Sequence, residues 1–138
     1  MPPPPQAPLP SHGVLKGLRV IVVEDRPDHL EMVRRVLVAA GAQVRGLTSG
    51  QEAYDEVHAD PPDVMIADLS LRDVSGLTLV RRVRALPGAA RLAIIAFTAD
   101  ATPATRRQAL DSGVEYYVVK PDIERLLHVL AHATGRTA

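Results

Sequence analysis

The chain has 138 residues, 46% of them hydrophobic, with 16 basic and 16 acidic side chains and no net charge. That length can bury a core and fits one domain, and the even charge gives no bias towards nucleic acid or an anionic membrane. Cysteine is absent, which excludes disulfides and thiolate metal sites and fits a cytoplasmic protein; no apolar run approaches the roughly 20 residues of a membrane span.

Residues 1–14 carry Pro2 to Pro5, Pro8 and Pro10 and read as a disordered, polyproline-like arm. They lack the basic and apolar regions of a signal peptide. Residues 15–138 then read as a single domain with no internal repeat.

Within that domain, strand and helix signals alternate. Residues 18–23, 63–67, 92–97 and 116–119 are short, nearly continuous apolar runs, the mark of strands covered on both faces. Residues 43–47 alternate polar and apolar, as at a sheet edge. Leu30, Val33, Leu37 and Ala40 form a helical stripe that Gly41 stops. Ser49 and Glu52 form a capping box before a second helix. Leu77, Val80 and Val83 form a third stripe, with Arg81, Arg82 and Arg84 expected on its solvated face. Thr102-Pro103 starts a fourth helix and Gly113 ends it. Asp122 caps a fifth, with a stripe of Ile123, Leu126, Leu127 and Leu130. Five βα repeats with short links predict an α/β fold, a doubly wound five-stranded parallel sheet with helices on both faces. In the flavodoxin-like order 2-1-3-4-5, ligands bind at the carboxyl ends of strands 1 and 3.

Acidic residues stand at those two ends. Glu24-Asp25 follows the first strand and Asp68 follows the third. Carboxylates that close repel one another unless something cationic sits among them, and a hard divalent metal on oxygen ligands is the expected resident. The turn after strand 1, Glu24-Asp25-Arg26-Pro27-Asp28, has no glycine and is acidic, so a bare nucleotide phosphate is disfavoured. Strand 4 ends in Thr98-Ala99, a hydroxyl donor, and strand 5 in Lys120-Pro121, an ammonium. A metal, a lysine and a hydroxyl are the groups that stabilise a phosphoryl group arriving on a carboxylate, and carboxylates form aspartyl phosphates.

With these motifs in place, residues 17–134 resemble a response-regulator receiver domain of the chemotaxis-regulator type. The resemblance rests on Glu24-Asp25, on Asp68 with Leu69-Ser70-Leu71 and Gly76 after it, on Thr98-Ala99 and on Lys120-Pro121. It implies two-component signalling: Asp68 accepts phosphate from a histidine kinase or phosphotransfer domain. Mg2+ (or Mn2+) is held by Asp25, Asp68 and the Ser70 backbone carbonyl, with Glu24 on metal-bound water. Lys120 pairs with the phosphoryl group. Thr98 bonds it and shifts inward, and Tyr117 moves between outward and inward rotamers. The resemblance also directs attention to the helix 4, strand 5, helix 5 face, about residues 102–132, for a homodimer or an effector protein. Such a domain catalyses its own phosphorylation and dephosphorylation but is a switch first. With no room for a DNA-binding domain, a stand-alone regulator or a receiver cut from a hybrid kinase is expected. Arg72 in place of the common proline, Ser75 in place of Asp or Asn, and Asp122 in place of an aromatic residue depart from the family pattern.

Blander readings exist for each residue singly. Asp25 could cap a helix, Asp68 could be a turn residue, Lys120 could be a solvated lysine, and Tyr117 could be core. The histidines His12, His29, His58, His128 and His132 are scattered. His128 and His132 lie one helical turn apart, but solvated helix positions explain them more simply. Two other classes compete with the receiver reading. A haloacid-dehalogenase phosphatase would need a second Asp where Ser70 stands. A degenerate receiver, acting only as a docking or dimerisation module, would not need the intact acidic pair, Asp68, Thr98 and Lys120.

Overall fold

The computed structural model describes residues 13–136, so the proline-rich arm lies, through residue 12, outside the described residues. Strands β1 (Arg19–Val23), β2 (Gln43–Leu47), β3 (Val64–Ala67), β4 (Ala93–Thr98) and β5 (Tyr116–Val119) alternate with helices α1 (Pro27–Ala39), α2 (Gly50–Ala59), α3 (Gly76–Arg84), α4 (Pro103–Ser112) and α5 (Ile123–Ala133). All neighbouring strands pair in parallel, in the order β2-β1-β3-β4-β5. This is the expected flavodoxin-like topology.

The continuous apolar runs have a two-sided destination. Successive side chains of a strand point to opposite faces. Val20, Val22, Val64, Ile66 and Ile95 therefore pack with Val33, Leu37, Leu126 and Leu130 of α1 and α5 on one face. Ile21, Val23, Met65, Ala67, Ile94 and Ala96 pack with Ala53, Val57, Leu79, Val80, Val83 and Ala109 of α2, α3 and α4 on the other. Each large side chain fully buried in this way contributes about 1.5–3 kcal/mol. Strand β2 is the half-exposed edge that its alternation predicts. Strand β5 forms the other edge; only Tyr117 and Val118 are buried, so the run 116–119 is covered on both faces only at its centre.

The helix signals hold at most ends. Ser49, Thr102 and Asp122 accept from the backbone N–H groups of Glu52, Thr105 and Arg125. Gly113 ends α4 at φ 115°, a left-handed conformation that favours glycine. Ser75 caps α3 by accepting from Thr78 N–H at 3.1 Å, a role its serine identity allows. One expectation fails. Arg84 does not lie on a solvated face. Its guanidinium donates to the carbonyls of Gly113, Ala89 and Leu92 and to Glu115. A long arginine at the end of α3 reaches past the helical stripe to acceptors in the loops, the carbonyls of Gly113 and Leu92 among them. Arg82 lies over the Tyr54 ring, 4.3 Å from its centroid, and only Arg81 of the three is exposed.

Candidate functional site

Register brings the site residues together. Val23 of β1 pairs with Ala67 of β3, so the next residues, Glu24 and Asp68, leave the sheet side by side. The backbone ladder continues one step further: Asp68 N–H donates to Val23 O at 3.0 Å, and Glu24 N–H to Leu47 O at 3.0 Å. On the other side, Lys120 N–H donates to Thr98 O at 2.8 Å, tying the ends of β4 and β5. Glu24, Asp68 and Thr98 are the buried polar side chains of the described residues, at 3%, 6% and 0% exposure.

The Lys120 ammonium lies at the centre. It donates to Glu24 Oε2 at 2.6 Å and to Asp68 Oδ2 at 2.8 Å, and stands 3.1 Å from His29 Nδ1. The Lys120 ammonium offsets charge on both carboxylates. Burial pushes the Asp68 carboxyl up, but the ammonium and the Ser70 N–H, which donates to Asp68 Oδ1 at 3.0 Å, outweigh it and hold Asp68 below its ordinary value. Burial and the neighbouring Asp68 hold Glu24 above its ordinary value despite the same ammonium. Burial opposes the Lys120 charge, but both carboxylates reverse this and hold Lys120 above its ordinary value.

Asp25 is half-buried beside this group and points elsewhere. Its Oδ2 accepts from Arg72 N–H at 2.9 Å. It does not cap α1, whose N-cap is Arg26 with Pro27 in the first turn; Glu24 Oε1 accepts from Arg26 N–H instead. Among the described residues no three acidic or histidine side chains stand together as a metal cage. The acidic side chains at this edge, Glu24, Asp25 and Asp68, offer oxygens, and that chemistry fits a hard divalent cation. Their present partners are Lys120 and backbone N–H groups.

Thr98 is fully buried, and its hydroxyl accepts a long bond from Asp100 N–H at 3.5 Å. The Tyr117 hydroxyl donates to Asp100 O at 2.5 Å, and its ring packs into the face of the sheet that α2, α3 and α4 cover, so Tyr117 is turned inward, at 8% exposure. Asp100 thus joins Thr98 to Tyr117 through two backbone groups.

Two contributors, His29 and Asp73, are invisible in the motifs, and the structure gives the motif glycine Gly76 its reason. His29 sits in the first turn of α1, and helical side chains lean towards the N-terminus, which carries its ring back into the cleft. Asp73 accepts from the N–H groups of Gly50 and Gln51, pinning the β3–α3 loop to the start of α2. Gly76 starts α3 against the backbone that follows the acceptor: a Cβ there would stand 2.4 Å from Leu69 Cα and 2.7 Å from Asp68 O.

Residues 20–131 match the family model of the response regulator receiver domain. The chain belongs to that family. A gliding motility regulatory protein of Myxococcus xanthus is 32% identical over 129 residues, 94% of this chain and 16% of the relative. The phosphate regulon transcriptional regulatory protein PhoB of Rhizobium meliloti is 38% identical over 103 residues, 75% of this chain and 45% of PhoB. The chain therefore spans less than half the length of either relative. Among solved structures, the receiver domain of the Pseudomonas aeruginosa sensor histidine kinase PA1611 superposes with a TM-score of 0.80 at 28% identity, covering 86% of this chain and 98% of that one. That structure has a magnesium ion coordinated in its active-site cleft. Receiver domains of this family serve two-component signal transduction, and no helix of the described residues is long and apolar enough to cross a membrane.

Proposed function

We propose that this receiver takes a phosphoryl group onto Asp68 from a phosphohistidine of a histidine kinase or phosphotransfer protein. The observation that carries this reading is the ionised, nearly buried Asp68 carboxylate held between the Lys120 ammonium and the Ser70 N–H. A carboxylate so oriented needs no further base. One of its oxygens attacks phosphorus, the P–O bond forms, and the P–N bond to the donor imidazole breaks. The imidazole nitrogen keeps the bonding pair and takes a proton from solvent. Lys120 follows the charge onto the phosphoryl oxygens, and the Thr98 hydroxyl exchanges its long bond to Asp100 for one to the same group. Water attack on phosphorus later releases inorganic phosphate and restores the carboxylate.

Asp25, Asp68 and the Ser70 carbonyl would hold Mg2+ or Mn2+, with Glu24 on its water. The metal would supply positive charge against phosphoryl oxygens that the acidic pair otherwise repels. The magnesium in the PA1611 receiver supports this assignment. The link from Thr98 through Asp100 to Tyr117 gives the phosphorylated state a route to β5, whose Val119 is 37% exposed, and to α4, whose Leu110 is 43% exposed. A partner or a second copy would be read there.

Intact mass after incubation with acetyl phosphate and magnesium tests the reading. One acyl phosphate is expected, labile to hydroxylamine and alkali, and absent from Asp68→Asn. Uptake that survives in Asp68→Asn, or phosphate found on Ser70 or Ser75, overturns it; a receiver that never takes phosphate is the docking-only module.

A further inference from the structure

The Lys120 ammonium has three N–H donors and three partners: Glu24 Oε2 at 2.6 Å, Asp68 Oδ2 at 2.8 Å and His29 Nδ1 at 3.1 Å. An ammonium has no lone pair, so the imidazole must be the acceptor in the third contact. Its proton then sits on Nε2, which lies 3.9 Å from Asp28 Oδ2. His29 comes from α1, Glu24 and Asp68 from the ends of β1 and β3. The His29 side chain keeps 31% exposure while that of Lys120 keeps 11%, so the ring closes the open side of the lysine.

We propose that His29 is a positioning residue for Lys120. Its Nδ1 lone pair keeps the ammonium poised over the acceptor carboxylate, away from a two-way pairing with Glu24 alone. This rests on the phosphoacceptor reading for its effect on rate, but the contact itself does not. Without the imidazole, the third N–H loses its protein acceptor and the ammonium is free to rotate towards Glu24, the partner at the shorter distance. When the imidazole is protonated, the lone pair is gone and a second cation faces the first. The charged groups that face the ring are Asp28 on its own helix and Lys120 from the end of β5; Glu24 and Asp68 meet it through Lys120.

The test uses the full chain, His29→Leu and His29→Asn, whose side-chain oxygen can occupy the place of Nδ1 without titrating. Phosphoryl uptake from acetyl phosphate with magnesium is followed by intact mass between about pH 8 and pH 5.5, where histidines change charge. His29→Leu should take up phosphate about tenfold more slowly at the upper pH, the scale of one hydrogen bond to a charged group. His29→Asn should restore the rate. The second readout needs no phosphate: the 13Cε resonance of Lys120 should shift in His29→Leu relative to the parent and return towards the parent position in His29→Asn. Equal rates and parallel pH profiles in parent and His29→Leu overturn the proposal. If the parent takes no phosphate at any pH, the receiver chemistry fails, and the Lys120 resonance alone decides: a resonance unchanged between parent and His29→Leu overturns the positioning role.

Discussion

The backbone N–H of Arg72 donates to Asp25 Oδ2 at 2.9 Å, and the Arg72 guanidinium stands 3.7 Å from the same oxygen. A proline at position 72, the common residue of the family in the sequence resemblance, has no N–H to give. This chain therefore holds one of its proposed metal ligands with a donor and a cation that a proline could not supply. The guanidinium is 86% exposed, so its share is that of a screened surface pair. Arg72→Ala keeps the N–H and removes the charge. It should tighten magnesium binding about two- to fivefold at low ionic strength, with the gain fading as salt rises. Arg72→Pro removes both and should bind magnesium more tightly still. Calorimetric titration of the three proteins checks this; equal affinities would mean that Arg72 does not compete at Asp25.

Asp25→Asn separates charge from shape. The asparagine oxygen can still accept from Arg72 N–H, so the loop should keep its place. The rise in melting temperature that magnesium produces by binding the folded state should disappear. Sequence alone suggests a gain of roughly 1–3 kcal/mol for the metal-free protein from relieved repulsion. The structure trims this, because Lys120 already offsets Glu24 and Asp68, and Asp25 faces Arg72. A gain under about 1 kcal/mol is expected. A normal magnesium response in this variant would remove Asp25 from the ligand set.

Glu24, Asp68, Thr98 and Lys120 were legible because each closes an apolar run, and a parallel sheet delivers all such ends to one edge. The edge position of β2 was legible because only a strand with a solvated side alternates. His29 and Asp73 were not legible, because each acts on a partner far away in sequence: Lys120 and the start of α2. No local period encodes such meetings. Arg84 misled for a related reason. Helical spacing assigns the direction of a Cβ, but a side chain of that length ends wherever unpaired carbonyls wait.

Gly76→Ala should show how tightly α3 is seated on the acceptor strand. The added Cβ would meet two backbone atoms, Leu69 Cα at 2.4 Å and Asp68 O at 2.7 Å, and neither can step aside as a side-chain tip would. Backbone shifts of this kind cost about 1–3 kcal/mol. Urea unfolding should show that loss, and phosphoryl uptake should fall by more than the unfolded fraction explains, because the strained carbonyl belongs to Asp68. Uptake that merely tracks the folded fraction would mean that the strain relaxes away from the acceptor.

Lys120→Met is the sharpest electrostatic test. The side chains of Lys120, Glu24 and Asp68 are 11%, 4% and 8% exposed, so removing the cation leaves two carboxylates buried without it. Breaking a buried pair from one side costs about 3–5 kcal/mol. The pH dependence follows from the directions of the shifts. Asp68 is held below its ordinary value, so its contribution is present above the ordinary aspartate range and is lost as pH falls through its folded value. Lys120 is held above its ordinary value, so its contribution is full below the ordinary lysine range and is lost as pH rises through its folded value. Glu24, raised by burial and by Asp68, takes a proton first on acidification and relieves the variant further. The stability difference between parent and Lys120→Met should therefore be widest near neutrality. It should narrow at acid pH, where protons do the work of the missing ammonium, and again at strongly alkaline pH, where the parent loses that charge too. Urea unfolding at three pH values reads this directly, and a difference that stays constant from acid to neutral pH would assign Lys120 a packing role in place of an electrostatic one.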